Sequence, residues 1–357
     1  MTRTDLRTWL LTQALPLWLD HGVDWPNGAF FEELHPSDLT SHAPFRRLRV
    51  ATRQTYVFAR AATFGVPRVA EARNLGVAWI EGVRQDDGTY VSRTDLTGAA
   101  IDPVRDLYDH AFVLLALAHG GRREAAHDLL SMLNTSFRHP QGGWRESRPD
   151  ALPRRQNPHM HLLEAVLAAG EIFNDTRFLD TADELIDLFL TRLYQPEDGA
   201  LPEYYAPDLT PVRDAGCYLV EPGHHHEWVW LLDEYRRIST QAGRTPRDTN
   251  QAATTLMNFA ELHGVTPDGE IEAELWSDGR IASQATRLWP YTERLKALIV
   301  QGDQAALQNG CSALGRYLAH PVPGLWHERR GHKPGTASPA SSLYHLTCAI
   351  LELDRGS

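Results

Sequence analysis

Two histidines, each followed by a glutamate three residues later, are the side chains whose types and spacing most directly suggest chemistry. His161 precedes Glu164, and His224 precedes Glu227. In a helix, residues three apart share a face. A carboxylate beside an imidazole can fix its tautomer and raise its pKa, as a general base near neutral pH requires. The two pairs therefore predict a site that transfers protons.

Further polar residues recur at a regular spacing. Six of them, separated by 55, 53, 63, 69 and 52 residues, each lie in a helical stretch: Arg53, Tyr108, His161, His224, Glu293 and His345. Polar residues scattered through a core would not keep such a rhythm. The spacing predicts that each unit of a repeat contributes one set of side chains to a common site.

A glycine-centred phrase recurs with a similar period and precedes helical stretches. Its glycines are spaced 60, 55, 56, 70 and 55 residues apart, at Gly28, Gly88, Gly143, Gly199, Gly269 and Gly324. The period is too long for one helix pair of a common solenoid, and six copies favour a ring that closes over an open array. The segments that carry the phrases are long, and binding sites usually lie on such loops.

Helical periodicity dominates between the phrases. It predicts twelve helices, the first kinked at Pro16, over residues 4–21, 47–64, 67–83, 104–119, 121–137, 158–172, 176–193, 224–240, 246–263, 287–300, 303–318 and 339–353. We expect an all-α protein, an (α/α)6 barrel or six-hairpin toroid with long loops on the active-site face, forming a single domain over residues 1–357. An open helical solenoid is the structural alternative.

Composition and charge limit the kinds of binding partner and the compartment that we expect. The net charge of −11, from 35 basic and 46 acidic residues, is spread without long runs, which disfavours nucleic acid and anionic membranes. No signal peptide or apolar run long enough to span a bilayer is found. The three cysteines lack metal or redox spacing and are typical of a reducing cytoplasm. The sequence leaves the oligomeric state open, with a homodimer as one option.

Each candidate also has a purely structural explanation. His161 with Glu164 could be a satisfied core pair, Arg53 could be a buried charge paired with Glu293, and Trp326 could plug the barrel mouth. A metal site at His224-His225-His226 is disfavoured because neighbouring helical positions diverge by about 100°. HxxE pairs do hold metals in some helical bundles, so that alternative stays open.

At these positions the chain resembles the N-acylglucosamine 2-epimerase superfamily, which includes cellobiose 2-epimerases, mannose isomerases and renin-binding proteins. The motifs that carry the resemblance span nearly the whole chain and are Arg53-Gln54-Thr55-Tyr56-Val57-Phe58-Ala59, Leu107-Tyr108-Asp109-His110-Ala111-Phe112, Asn157-Pro158-His159-Met160-His161-Leu162-Leu163-Glu164-Ala165, Glu221-Pro222-Gly223-His224-His225-His226-Glu227-Trp228, Trp289-Pro290-Tyr291-Thr292-Glu293 and Leu343-Tyr344-His345. The combination is specific, above all the element that begins at Pro222.

The resemblance implies an (α/α)6 barrel that works without a metal or other cofactor. It also implies that His224 and His345 carry out the proton transfers. The residues implied to bind or orient the sugar are Arg53, Tyr108, Asn157, His161, Arg213, Glu227, Glu293 and Trp326. The chain departs from the common pattern at Arg49 and Ala51, and Ser341-Ser342-Leu343 stands where many members have Lys and Pro.

We therefore expect a sugar isomerase that interconverts an aldose and a ketose, D-mannose and D-fructose above all, through an enediolate. The alternative is a sugar 2-epimerase acting on mannose and glucose, on N-acylglucosamine or on cellobiose. A glycoside hydrolase or lyase on the same barrel would need two carboxylates that straddle a glycosidic bond. A protein that binds a partner without catalysis is a further alternative. The expected partner is a small sugar.

Overall fold

The computed structural model describes residues 1–285, 287–331, 333 and 335–355. The chain divides into two compact units, Met1–Pro103 with Arg287–Ser357 and Val104–Thr286. Both units consist of α-helices joined by loops that carry very short strands.

The helices of the described residues, in chain order, are α1 Arg3–Trp9, α2 Leu15–His21, α3 Leu48–Ala61, α4 Val69–Gly82, α5 Leu107–His119, α6 Arg123–Ser136, α7 Asn157–Phe173, α8 Thr176–Leu188, α9 Pro222–Gln241, α10 Asn250–Gly264, α11 Trp289–Gln301, α12 Gln304–Leu318 and α13 Ser341–Glu352. Each of the twelve predicted stretches contains a helix, with ends within a few residues of the predicted ones. Of these helices, none combines the length and the apolar character that crossing a bilayer needs.

Side-chain caps explain where several helices begin. Asp106 accepts a hydrogen bond from the backbone N–H of Tyr108 at 2.7 Å ahead of α5, and Asp303 accepts one from Ala306 at 2.9 Å ahead of α12. Such caps satisfy N–H groups of the first turn, which have no partner within the helix. The sequence therefore marks these boundaries locally.

The predicted irregularity near Pro16 takes the form of a widened turn. A π-helical segment, Leu10–Ala14, joins α1 to α2, and Pro16 lies in the first turn of α2. Proline lacks a backbone N–H and crowds the carbonyl four residues earlier. A π turn just ahead of it accommodates both effects without interrupting the helical path.

The glycine phrases form turns with a shared backbone conformation. Their glycines have φ between 63° and 89°, the left-handed region that residues with a Cβ seldom adopt. At Gly324 a Cβ would also lie 2.7 Å from the backbone oxygen of Gln13. The repeated glycine is thus required by the turn that leads into each strand-bearing loop.

Short antiparallel strand pairs link the segments that precede successive core helices. The strands are β1 Val23–Asp24, β2 Ala29–Phe30, β3 Glu33–Leu34, β4 Phe45–Arg47, β5 Arg93–Asp95, β6 Arg105–Asp106, β7 Ser147–Arg148, β8 Arg154–Arg155, β9 Tyr204–Tyr205, β10 Leu219–Val220, β11 Glu274–Trp276, β12 Ile281–Ser283 and β13 Ser338–Pro339. In the first unit β1 pairs with β2, β4 with β5, and β13 with β3. In the second, β6 pairs with β7, β8 with β9, and β11 with both β10 and β12.

The pairing of β13 with β3 has a topological consequence inside the first unit. Ser338 lies opposite Leu34, so a strand near the end of the chain is joined to one near its beginning. The same unit packs α13 against α3 and α11 against α13. In the second unit α7 packs against both α5 and α9. Each unit therefore has a row of three adjacent helices that are buried on nearly all faces.

Candidate active site

Eight of the ten predicted site residues lie on these two helix rows, and the other two, Arg213 and Trp326, lie in loops. The first unit carries Arg53 on α3, Glu293 on α11 and His345 on α13. The second carries Tyr108 on α5, His161 on α7 and His224 on α9, with Asn157 and Glu227 on the latter two helices. Because neighbouring helices pack side by side, each unit has its own polar cluster.

His224 is the centre of the cluster in the second unit. It is the third residue of α9 and is 5% exposed. Its Nδ1 lies 2.9 Å from Oε1 of Glu203 and 4.0 Å from Oε2 of Glu221, while its Nε2 lies 2.9 Å from Nδ2 of Asn157. The imidazole is therefore held on both nitrogens, by carboxylates on one side and an amide on the other.

These carboxylates decide the charge of His224. Burial alone would lower its pKa, but the negative charges of Glu203 and Glu221 and the hydrogen bond with Glu203 raise it to about 10. An imidazolium at neutral pH donates from both nitrogens. Since amide oxygen and nitrogen are assigned from the hydrogen-bond network, Asn157 would present Oδ1 to the Nε2–H of this charged form.

Sequence spacing paired His224 with Glu227, and the structure corrects this. The carboxylate at hydrogen-bond distance from His224 is that of Glu203, 21 residues earlier, whereas Glu227 Oε1 lies 3.9 Å from Nδ1 of His161. Side chains of a helix lean toward its N-terminus, and His224 lies in the first turn of α9. Its ring consequently points toward the segments that precede the helix and away from the next turn.

Glu203 itself is fixed by several donors. Its second carboxylate oxygen accepts a hydrogen bond from Nε2 of Gln156 at 3.1 Å, and the backbone N–H of Glu221 donates to Oε1 at 3.3 Å. The Oε1 atom of Gln156 accepts from the indole of Trp228 at 2.7 Å. The side chain that orients His224 is thus locked into the core by a chain of hydrogen bonds.

The predicted His161–Glu164 pair does form. Nδ1 of His161 lies 3.0 Å from Oε2 of Glu164, and the ring of Tyr108 meets the imidazole edge-on with centroids 5.0 Å apart. His161, Glu164 and Glu227 are all buried. This group is next to the His224 cluster along α7 and α9, where it can orient a ligand that His224 reaches.

His345 is the centre of the cluster in the first unit. Its Nδ1 lies 2.9 Å from Oε1 of Glu293, whose other oxygen, Oε2, lies 2.5 Å from Nζ of Lys296. Glu293 and Lys296 are 0% exposed, and His345 is 7% exposed. The guanidinium of Arg53 lies over the ring of Tyr344, 5.1 Å from its centroid.

Here the electrostatics are opposite to those around His224. Burial lowers the pKa of His345 to about 4; the hydrogen bond with Glu293 opposes this, while the charges of Arg53 and Lys296 reinforce it. Burial would raise the pKa of Glu293, but Lys296 and His345 together hold it well below its usual range. His345 is therefore a neutral imidazole at pH 7 whose Nδ1–H is donated to Glu293, leaving a lone pair on Nε2.

Two further predicted sugar-binding residues, Trp326 and Arg213, make structural contacts, and their role toward a sugar stays a prediction. Trp326 is 1% exposed and packs on Trp18, with ring centroids 5.1 Å apart, which favours the structural explanation. Arg213 lies in an exposed loop, donates to the carbonyl of Gly216 at 2.7 Å, and lies over the ring of Tyr218.

The three consecutive histidines of α9 point in different directions, as their helical positions predict. His225 accepts a hydrogen bond from the backbone N–H of Leu201 at 3.1 Å, and His226 pairs with Glu261 at 3.0 Å. Burial lowers the pKa of His225 to about 3. Both residues attach α9 to neighbouring segments, so a common ion for the triplet does not fit.

Two other groups have the geometry for a cation. Within the described residues, the ligand atoms of His161, Glu164 and Glu227 lie within 4.8 Å of one another, as do those of Glu203, Glu221 and His224. In both groups the histidine Nδ1 already lies at hydrogen-bond distance from a carboxylate. An ion would have to replace that contact.

Three residues of the clusters were missed by sequence reasoning: Glu203, Glu221 and Lys296. A signal existed for all three. Lys296 follows Glu293 by three residues, and Glu221 precedes His224 by three residues, the spacing that was used for the histidines. Glu203 follows the turn glycine Gly199 by four residues, a spacing that recurs in other glycine phrases.

Comparison with known proteins identifies the class. The structure superimposes on that of cellobiose 2-epimerase from Bacillus thermoamylovorans B4167 with a TM-score of 0.87, at 19% identity, covering 99% of this chain and 98% of that one. This match and similar ones confirm the predicted fold class, an (α/α)6 barrel. The family model and the named relatives in turn show an enzyme of the sugar isomerase and epimerase class.

Residues 29–349 match the model of the N-acylglucosamine 2-epimerase family, and the chain belongs to that family. It is 35% identical to a protein of Rhizobium meliloti named mannose-6-phosphate isomerase, over 98% of this chain and 96% of the relative. It is 30% identical to a D-mannose isomerase of Thermobifida fusca, over 91% of this chain and 86% of the relative.

Proposed function

We propose that this protein is an aldose–ketose isomerase that interconverts D-mannose and D-fructose, with His345 as the base at carbon and His224 as the acid at oxygen. The observation that carries the proposal is the opposite charge of the two buried histidines. His345 is neutral because burial lowers its pKa to about 4, and His224 is cationic because two carboxylates raise its pKa to about 10. A reaction that moves protons between carbon and oxygen needs one group of each kind.

The surroundings of His345 suit the abstraction of a proton from C2 of the open-chain sugar. Glu293 fixes the tautomer that exposes the Nε2 lone pair. The imidazolium formed on abstraction is stabilised by the same carboxylate. Negative charge on the sugar would raise the basicity of His345 as the reaction proceeds, offsetting the effect of Arg53 and Lys296.

His224 supplies the complementary charge. Its imidazolium can donate a proton to O1 while C2 loses its proton, so that the enediolate never bears a full charge. Asn157, on the other nitrogen of His224, accepts or donates according to the protonation state of that ring. The same imidazolium can protonate the ring oxygen when the cyclic sugar opens.

The steps then balance. His345 takes the proton from C2 as His224 protonates O1, giving a neutral enediol. His224 next takes the proton from O2, the C2–O2 carbonyl forms, and His345 returns a proton to C1. The products are the ketose and both histidines in their starting states. Return of a proton to the opposite face of C2 would instead give the 2-epimer.

The alternative function is 2-epimerisation of mannose, of N-acylglucosamine or of cellobiose, which the similarity to a solved cellobiose 2-epimerase supports. The name of the Rhizobium meliloti relative makes the phosphorylated sugar a second candidate substrate. We favour free mannose because the Thermobifida fusca relative is named for it and because the sequence contains no glycine-rich phosphate loop.

The test is incubation of EDTA-treated protein with D-mannose in D2O, followed by NMR of the sugars. Fructose carrying deuterium at C1 would support a metal-independent isomerase, and glucose carrying it at C2 the epimerase. Mannose 6-phosphate, N-acetylglucosamine and cellobiose are run in parallel. Absence of exchange with all four, or activity lost on EDTA treatment and restored by a metal, would contradict the proposal.

Variants complete the test. His345→Asn and His224→Asn should each lower kcat by at least about a hundredfold, the usual contribution of a general acid or base. His226→Asn is the matched control, because His226 is equally buried on the same helix and pairs with Glu261. If His226→Asn lost as much activity as His224→Asn while all three proteins stayed folded, the assignment would be wrong.

The proposed location is the cytoplasm. Cys217, Cys311 and Cys348 are free thiols in the structure, and two of them are buried, which is compatible with a reducing compartment. Fractionation of the source cells with an antibody to the protein would test this, and recovery outside the cytoplasmic fraction would contradict it.

A further inference from the structure

A buried glutamate occupies the same place in several glycine phrases. It follows a glycine of the phrase by four residues at Glu32 and Glu203, counted from Gly28 and Gly199, and at Glu146, counted from Gly142; the half-buried Glu328 follows Gly324 at the same distance. In the first unit, Glu32 accepts hydrogen bonds from the backbone N–H of Arg47 at 2.6 Å and from its Nε at 2.5 Å. Arg47 is the residue just before α3. The repeat thus pairs a buried carboxylate with an arginine at the start of the core helix.

A second copy of this arrangement lies in the second unit. Glu146 accepts a hydrogen bond from the backbone N–H of Arg155 at 2.9 Å and also pairs with the side chain of Arg155, just ahead of α7. In both copies the arginine serves twice, since its backbone fixes the carboxylate and its guanidinium neutralises it. A buried carboxylate needs such a counter-charge.

The copy around Glu203 differs in one residue. The backbone N–H of Glu221, just before α9, donates to Glu203 as Arg47 and Arg155 do to their glutamates. The side chain at this position, however, is a carboxylate instead of a guanidinium. Glu203 then finds its positively charged partner in His224, 2.9 Å away. An acidic residue thus stands where the copies around Glu32 and Glu146 carry the neutralising cation, whereas Glu328 accepts a hydrogen bond from Ser342.

We infer that the replacement of the repeat's arginine by Glu221 transfers the counter-charge role to His224, so that Glu203 and Glu221 act as positioning residues that keep His224 protonated. Glu203 orients the ring through Nδ1, and Glu221 adds a second negative charge 4.0 Å from the same nitrogen. The inference rests on the proposed role of His224 as the acid at oxygen.

The other groups that face His224 agree with this arrangement. Glu227 on α9 adds further negative charge, and Asn157 on α7 offers an amide oxygen that can accept from Nε2–H. Glu203 and His224 are both about 95% buried, so solvent screens their interaction little. Glu221 is more exposed, with 24% of its side chain accessible, and its contribution should be the smaller.

The experiment is a titration of the histidine side chains by NMR with imidazole-labelled protein, in which the His224→Asn variant identifies the signal of His224. We expect His224 to remain protonated well above pH 8. Glu221→Gln should lower the titration midpoint of His224 by about 1–2 pH units. Glu221→Arg should lower it further, because the new guanidinium can pair with Glu203 as Arg47 pairs with Glu32.

The matched control is Glu32→Gln, which removes the equivalent carboxylate of another phrase and should leave the His224 midpoint unchanged. Glu203→Gln should give the largest shift; should it fail to fold, the more exposed Glu221 variants still decide the question. The alkaline limb of the kcat/KM profile should move by the same amount as the NMR midpoint.

A His224 that titrates near 6.5 in the unaltered protein would overturn the inference, as would Glu221 variants that leave its midpoint in place. The titration needs no substrate, so it separates two failures. A high midpoint in a protein that turns over no sugar would refute the proposed function and leave the role of the two glutamates standing.

Discussion

Replacement of Lys296 by methionine would remove the positive charge that allows Glu293 to stay ionised without protonating His345. Lys296 and Glu293 are both fully buried, with Nζ and Oε2 2.5 Å apart. Removing one partner of a buried pair costs about 3–5 kcal/mol, and one pH unit corresponds to about 1.4 kcal/mol. The pKa for protonation of the remaining Glu293–His345 pair should therefore rise by about 2–4 units.

His345 is the more basic member of that pair and should receive the proton. Its midpoint is expected to rise from about 4 to about 6–8 in the Lys296→Met protein. With a midpoint near 7, about one molecule in ten retains a neutral base at pH 6. The kcat/KM value at pH 6 should then fall about tenfold, while the value at pH 9 changes much less.

The assay is kcat/KM for the isomerised sugar from pH 5 to 10, with unfolding in urea at the same pH values. A raised pKa in the folded protein stabilises it below the unfolded pKa and loses that effect as pH rises through the folded value. With a folded midpoint near 8 and an unfolded pKa of about 6.5, the Lys296→Met protein should thus lose stability between about pH 6.5 and 8. The double variant Lys296→Met with Glu293→Gln, which removes both charges, should return the acidic limb toward its original position. A folded Lys296→Met protein whose acidic limb stays near pH 4 would refute the reasoning.

Other consequences can be measured separately. His224→Gln should flatten the dependence of stability on pH between about 6.5 and 10, because the raised pKa of His224 stabilises the fold below that window and ceases to do so across it; an unchanged slope would contradict this. His159→Leu leaves the buried backbone N–H of Trp144 without its acceptor and should lower the free energy of unfolding in urea by about 1–3 kcal/mol. An unchanged free energy would show that another group accepts this hydrogen bond. Trp326→Phe should lower stability by about 1–3 kcal/mol with KM unchanged, since its ring is packed on Trp18; a KM raised tenfold would support Trp326 as a sugar-binding residue.

The helices could be predicted because their signals are local. Apolar periodicity, caps such as Asp106 and Asp303, and the turn glycines mark each boundary within a few residues of chain. The glycine period also predicts that the core helices bear comparable side chains at comparable positions. Confirmation of the fold class by the solved structures shows that these short-range signals were sufficient.

The partners of the histidines depend on contacts that spacing does not record. A separation of three residues predicted His161–Glu164 correctly, since both lie within α7. It failed for His224, because a residue in the first turn of a helix reaches the loop that precedes it, and the position of Glu203 in space depends on the strand pair of β8 and β9. Lys296 escaped notice for a different reason, as lysine is seldom fully buried and is usually assigned to a surface.

The two histidine–glutamate pairs show how one motif yields opposite chemistry. Both have Nδ1 of a buried imidazole 2.9 Å from a carboxylate oxygen. What differs is the charge around each pair. Arg53 and Lys296 place positive charge near His345, and Lys296 neutralises Glu293, whereas Glu221 adds negative charge beside Glu203 and His224. The proton therefore stays off His345 and on His224. Two variants test this account. Lys296→Met should raise the titration midpoint of His345, and Glu221→Arg should lower that of His224. Midpoint shifts of the same sign in both proteins would mean that burial, and not the charge of Lys296 or Glu221, controls the protonation of the two imidazoles.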